Sequence, residues 1–312
     1  MPLNTPVAFF IFNRPETTQR VFAEIARVQP ETLLVVADGP RHAEDAEKCA
    51  QTRAIVETID WPCTLRMNYS DHNLGCKHRV ASGLDWVFTQ VEEAIILEDD
   101  CVPEPSFFPF CQQMLERYRA DTRIMMIAGT NYLLNALSIP ESYTFSRYFA
   151  IWGWATWKRA WERYDLKMQG WEALKAQGQL QGFYPQPFMQ NHMATSFDLV
   201  HQGQVDTWDV QWFYSCLFNS GLCVVPKVNL ISNIGVVGQH SSEQDRNHFK
   251  PVFALNTASM THPAQVYADQ RYDLPFFQQQ FQPPAPPSLP LRAAAALKRR
   301  LRSFRYRSRH GH

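Results

Sequence analysis

Ala94–Asp100 reads AIILEDD, and the fold turns on how that stretch is understood. Ala94, Ile95, Ile96 and Leu97 form a short apolar run of the kind that fills a buried strand. Glu98, Asp99 and Asp100 follow without a break. Like charges crowded at a strand end are costly unless a cation or hydrogen-bond donors offset them. Carboxylate oxygens are hard ligands that suit Mg²⁺ or Mn²⁺, and a protein commonly supplies one or two of them while substrate phosphates complete the shell. A solvated acidic turn after a strand is the plain alternative.

Upstream, the same unit repeats. Val7–Phe12, VAFFIF, is an apolar strand broken by Asn13-Arg14-Pro15, and Pro15 suits the first residue of a helix. Val21, Phe22, Ile25 and Val28 then recur at helical spacing until Pro30. Leu33–Ala37 is a second strand, cut by Asp38-Gly39-Pro40. Residues 43–58 read as a surface helix with Ile55, Val56 and Ile59 inward, and Thr64–Tyr69 as a third strand. The loop DHNLG, Asp71–Gly75, leads into a helix over Cys76–Phe88 with Val80, Leu84, Val87 and Phe88 inward. This β-α-β-α-β-α-β alternation predicts an α/β fold, a Rossmann-like, mostly parallel sheet flanked by helices on both faces. Ligands of such sheets bind beyond the carboxyl ends of the strands. Asn13-Arg14, Asp38-Gly39, Asp71–Gly75 and Glu98–Asp100 all fall there.

The second half is aromatic-rich. Phe107–Arg119 predicts a helix, Ile124–Ala128 a strand, residues 189–202 and 208–218 helices, and Leu222–Val225 and Leu230–Ile234 short strands. Trp157 and Trp161 are spaced to share a helix face as packing residues. Trp152 and Trp154 flank Gly153 in an expected loop, where a flat ring can meet a sugar or a base. Asp209 stands between Trp208 and Trp212 on a segment that otherwise reads as buried, and a buried acid needs a reason.

The 30 basic and 30 acidic residues cancel, but unevenly. No acid follows Asp273, whereas Arg292, Lys298, Arg299, Arg300, Arg302, Arg305, Arg307 and Arg309 do. Without those eight bases, 22 basic residues face 30 acidic ones, a body of about −8, which argues against nucleic acid as a partner. Seven cysteines with no CxxC pair speak against a disulfide framework or a structural zinc site. No secretory signal and no membrane-spanning run is evident, so a cytoplasmic protein is expected. The expected organisation is one domain over 1–275, with a donor half at about 1–130 and an acceptor half at about 131–275. A Pro/Gln-rich linker follows over 276–290, then a basic amphipathic tail over 291–312 suited to an anionic membrane surface, which would place the protein peripherally on the inner membrane.

Taken in order, Asn13-Arg14-Pro15 after the first strand, the Asn73-Leu74-Gly75 loop, Glu98-Asp99-Asp100, Phe107-Phe108, Gly153-Trp154 and Trp208-Asp209 resemble a nucleotide-sugar glycosyltransferase of the GT-A fold. Within that fold the chain is most similar to the N-acetylglucosaminyltransferase I family and its bacterial relatives, with the Asn-Leu-Gly loop resembling family-2 glycosyltransferases. The likeness spans about residues 7–240. It implies a hexosyl- or N-acetylhexosaminyltransferase that moves a sugar from a nucleotide-sugar, UDP favoured, to a glycan or glycolipid of a bacterial surface polysaccharide. It implies Mn²⁺ or Mg²⁺ on Asp100, with His240 near the metal or diphosphate. Donor contacts would come from Phe12, Asn13, Arg14, Asp38, Glu98 and Asp99, with Lys77 a candidate for phosphate, and Trp152, Gly153 and Trp154 would face the acceptor. The family carries a second Asp where Val210 stands here, so the base is either Asp209 or Asp206. Two other classes share such a sheet. A sugar-phosphate nucleotidyltransferase would want a glycine-rich basic loop after the first strand, which Asn13-Arg14-Pro15 is not. A non-catalytic carbohydrate-binding protein would not need the acidic triplet.

Overall fold

Each apolar run named above becomes a strand because nearly every side chain in it is buried on both faces. β1 (Val7–Ile11), β2 (Thr32–Ala37) and β4 (Glu93–Glu98) are lined with residues of almost no exposure, while β3 (Thr64–Tyr69) lies at the sheet edge and is largely open. The computed structural model describes residues 2–184, 186–235 and 250–281. Residues to Phe276 form one compact unit, and the described part of a second, 277–281, is helical.

The intervening helices are α1 (Pro15–Val28), α2 (Ala43–Val56) and α3 (Gly75–Gln90). Thr18, Val21, Phe22 and Ile25 of α1 and Val80, Leu84, Val87 and Phe88 of α3 are buried, as the spacing predicts. On α2 the buried face is Asp45, Cys49, Thr52 and Val56, while Ile55 and Ile59 only flank the core. The acid on that face has its own reason, given below. Gly83 lets α3 close on the sheet, since a Cβ there would stand 2.6 Å from Phe10 and Val36.

Beyond β4 come β5 (Cys101–Pro103), α4 (Phe107–Tyr118), β6 (Ile124–Ala128), β7 (Tyr143–Ser146), β8 (Trp154–Trp157), α5 (Lys158–Trp161), α6 (Trp171–Ala176), α7 (Pro187–His201), α8 (Asp209–Phe218), β9 (Leu222–Pro226), β10 (Ile231–Asn233) and α9 (Gln270–Phe281). The eight-stranded sheet runs β3-β2-β1-β4-β8-β6-β9-β7. It is mostly parallel, with β8 antiparallel to both of its neighbours and β7 antiparallel to β9. Ile11 pairs with Ala37, Ala37 with Tyr69 and Phe10 with Glu98, so the carboxyl ends of four strands reach one rim as predicted. Chain order reverses between β1 and β4, which makes the gap between their ends a switch point. A second, two-stranded sheet pairs β10 with β5 and carries residues from the far half of the chain onto that rim.

Three local expectations are corrected. Trp154 opens strand β8 instead of sitting in a loop. Trp157 ends the same strand and points to the α4 side, where its indole N–H meets the Leu115 carbonyl at 3.3 Å, so it shares no helix face with Trp161. Trp161 packs the opposite way, against Trp212 and Tyr164. The stretch 276–281 is helical, not linker, since its glutamines are good helix formers and the proline-rich part starts only after it. The remainder of the expected linker and the tail over 291–312 lie outside the described residues.

Candidate functional site

The rim at the switch point is built from the two strands that flank it. The backbone N–H of Phe12, one residue past β1, donates to Asp99 Oδ2 at 3.1 Å. Arg14 sends one guanidinium nitrogen to Asp99 Oδ1 and the other to Asp100 Oδ2, the latter at 2.7 Å. One arginine thus bridges two adjacent carboxylates, a pairing that its fixed planar fork allows. Burial works against the charge on Arg14, but Asp99 and Asp100 outweigh it and raise its pKa. Burial also pushes Asp99 upward against the pull of Arg14. Among the described residues half-buried Glu98 has no such hydrogen bond, and burial together with the neighbouring Asp100 pushes it up to about 8 against the pull of Arg14.

β10 closes the site from the other side. Asn233 pairs with Cys101, and its amide lies 3.4 Å from Asp100 Oδ1. The Ile234 N–H donates to the Asp100 carbonyl at 2.8 Å. Gly235 then passes so close that a Cβ would stand 2.2 Å from Asp100 Oδ2 and 3.1 Å from Arg14. Only glycine permits that approach.

A further wall of this site comes from α8 and the loop before it. Asp209 is the first residue of α8, and its Oδ1 accepts from Thr207 Oγ1 and, at 2.9 Å, from the Val210 N–H. Tyr164 fixes the loop through the Trp208 carbonyl at 3.1 Å, and Trp208 stacks on Trp154 at 5.7 Å. The charge of Asp209 acts on Glu98, on exposed Cys76 at the start of α3, and on the Tyr132 hydroxyl. Asp206 is exposed and lies 3.0 Å from where a Gly75 Cβ would be. Phe12, Arg14, Glu98, Asp99, Asp100, Asp206 and Asp209 therefore share one neighbourhood.

Other predicted residues are placed differently. Asn13 turns to Asp45 of α2 at 2.7 Å, and Arg41 holds the same carboxylate at 2.6 and 3.0 Å while lying over the Phe12 ring. Those bonds, led by Arg41, hold Asp45 well below the usual carboxylate range and explain why an acid stands on the buried face of α2. Asp38 accepts from the Gly39 and Leu74 N–H groups, both at 2.9 Å, and from the Asn73 amide at 3.0 Å. It locks the Asn-Leu-Gly loop to β2, and its carboxylate is buried by that work. Lys77 is half-buried in the first turn of α3. Gly153 has a left-handed backbone, φ 57°, beneath Ile231, where a Cβ would clash at 2.4 Å. Trp154 is 1% exposed and supports the Asp209 loop from behind, so neither of these two residues offers a surface to an acceptor. Trp152 is half-exposed and packs on Tyr132 at 5.8 Å. His240 lies outside the described residues.

Asp100 fits the one-carboxylate mode of divalent-cation binding. Among the described residues its Oδ1 has only two long contacts, at 3.4 Å, to Asn233 and to the Cys101 thiol. Among the described residues no group of three or more His, Cys, Asp or Glu forms a cage, so the ligand shell would need substrate oxygens, as phosphate-bridging Mg²⁺ and Mn²⁺ sites do. Sequence reading missed Cys76, Tyr132, Asn233 and Gly235, none of which stands in a recognisable local motif. No family model matches this chain, and no curated protein matches it either.

Proposed function

We propose that the protein is a metal-dependent, inverting glycosyltransferase of the GT-A fold that moves a sugar from a nucleotide-sugar, with UDP favoured, to a glycan or glycolipid acceptor. The observation that carries this reading is the meeting of Arg14 with Asp99 and Asp100 at the β1–β4 switch point, with Asp209 facing them from α8. Among the described residues four carboxylates besides Asp209 share that neighbourhood (Glu98, Asp99, Asp100 and Asp206) with one guanidinium, that of Arg14, a surplus that a bound cation would offset. Asp100 would hold a divalent ion, which would supply Lewis-acid stabilisation of the departing diphosphate. Arg14 keeps Asp99 and Asp100 aligned, and Glu98 and Asp99 orient the nucleotide and its sugar.

Asp209, not Asp206, is assigned as the base. Two hydrogen bonds to Oδ1 fix its plane and its charge acts on Glu98, whereas Asp206 is exposed. A carboxylate within hydrogen-bond reach of the acceptor hydroxyl takes its proton as the bond to the anomeric carbon forms. Attack from the face opposite the leaving diphosphate inverts that carbon. Val210 in place of a second Asp leaves Asp209 as the one carboxylate of this helix start.

Calorimetry with UDP in the presence and absence of Mn²⁺ tests the reading. Binding that requires Mn²⁺ and is lost in Asp100→Ala supports it. Absence of UDP binding, or binding indifferent to both metal and Asp100, overturns it. A panel of nucleotide-sugars screened for slow hydrolysis then identifies the donor.

A further inference from the structure

Near the Asp209 wall stands a cation with no carboxylate beside it among the described residues. Lys250 is half-buried, and burial pushes its ammonium below its ordinary pKa. Among the described residues no acidic group balances it. An ammonium taken partly out of water without a counter-charge is costly, and its place in the fold is fixed. The Pro251 carbonyl accepts from the Asn229 amide at 2.9 Å, and the Phe253 N–H donates to the Asn229 carbonyl at 2.9 Å. Asn229 leads directly into β10, the strand that reaches Asp100.

The ammonium lies over the Tyr132 ring, 5.0 Å from its centre. Trp152 and Phe276 hold that ring at 5.8 and 5.7 Å. Its hydroxyl feels the charge of Asp209. With one face of Tyr132 covered by Lys250, what a ligand meets there is the ammonium, a compact cation with three N–H donors, and not a bare ring for sugar stacking. Trp152 remains beside it as the aromatic contact.

We propose that Lys250, seated on Tyr132 next to Trp152, binds an anionic group on the acceptor, so that the acceptor is a glycosyl phosphate or a uronate and not a neutral sugar. The word acceptor rests on the glycosyl-transfer reading above; the anion site itself does not. Three small probes separate the cases: glucose 1-phosphate, methyl glucuronide and uncharged methyl glucoside, each titrated into the full-length protein by calorimetry, without UDP.

Expected is binding of at least one charged probe about tenfold or more tighter than methyl glucoside, a preference lost in Lys250→Met and retained in Lys250→Arg. Which charged probe wins tells phosphate from carboxylate. UDP affinity, measured with Mn²⁺, should be the same in wild type and Lys250→Met. Equal binding of all three probes by wild type, or a charge preference that survives in Lys250→Met, overturns the inference. So does a weakened UDP affinity in Lys250→Met, which would move Lys250 to the donor side. If UDP fails to bind wild type while the charged-probe preference holds, glycosyl transfer fails and the anion site stands.

Discussion

Asp209 and Asp206 stand three residues apart, and the proposed function gives them different work. Asp209→Asn keeps the shape and the Oδ1 bonds but removes the proton acceptor. Transfer should fall by about 10²–10⁴-fold with UDP affinity unchanged, as expected for a general base. Asp206→Asn should cost far less, and steady-state transfer assays on both variants decide the assignment; equal losses would sink it. Gly235 supplies a second test. In Gly235→Ala the new methyl must displace Asp100 Oδ2, 2.2 Å away, and disturb Arg14 beyond it. Metal-assisted UDP binding should weaken by about tenfold, with little change in melting temperature because the residue is only half-buried. At this scale the acidic triplet and Arg14 were legible, because strand ends concentrate polar residues where a parallel sheet binds ligands. Gly235, Tyr132 and Lys250 were not. Their roles come from long-range closure by β10 and its neighbours, and no local pattern marks that. Asp38 and Asn13 were legible as important but for a different reason: both spend their hydrogen bonds on loops and on Asp45.

At the scale of elements, the four leading strands and their helices followed from apolar run length and helical spacing, and their aligned ends followed from the alternation. Strand direction did not. An apolar run reads the same either way, so β7 and β8 could be recognised as antiparallel only from the chain's path. β7 owes part of its hold to α9. Ser146 donates to Asp273 at 2.5 Å, and Thr144 to Asp269 at 2.6 Å. Burial is the main cause that raises Asp273 to about 6 from an ordinary 3.8. The folded chain therefore keeps that proton over a range where the unfolded chain has released it. Stability from this group is greatest below about pH 4, falls as pH rises to about 6, and is level above that. The fall is at most about 3 kcal/mol by linkage. Denaturant midpoints across pH 4 to 6 should show Asp273→Asn gaining on wild type as pH rises, because the amide can still accept from Ser146 but no longer ionises. A constant difference between the two would show that Asp273 titrates normally.

For the whole molecule the question is how charge is divided. The chain before Arg292 carries about −8, and the eight bases beyond it restore neutrality. On the proposed reading an acidic body would bind an acidic nucleotide, so its positive charge would have to be delivered locally, by Arg14 and by a bound cation, since a long-range field of that sign repels the ligand. The tail contributes nothing to that local balance if its task is the membrane. Deleting residues 285–312 should then leave Mn²⁺-dependent UDP affinity intact at physiological salt, where charges more than about 8 Å apart in solvent are largely screened. The same deletion should abolish sedimentation with vesicles rich in anionic lipid, because each base near such a surface contributes about 1 kcal/mol. Binding by the full chain should also weaken as salt is raised, and be absent with neutral vesicles. Vesicle binding that survives the deletion, or that ignores salt, would place the membrane contact elsewhere on the chain and leave the basic tail without this role.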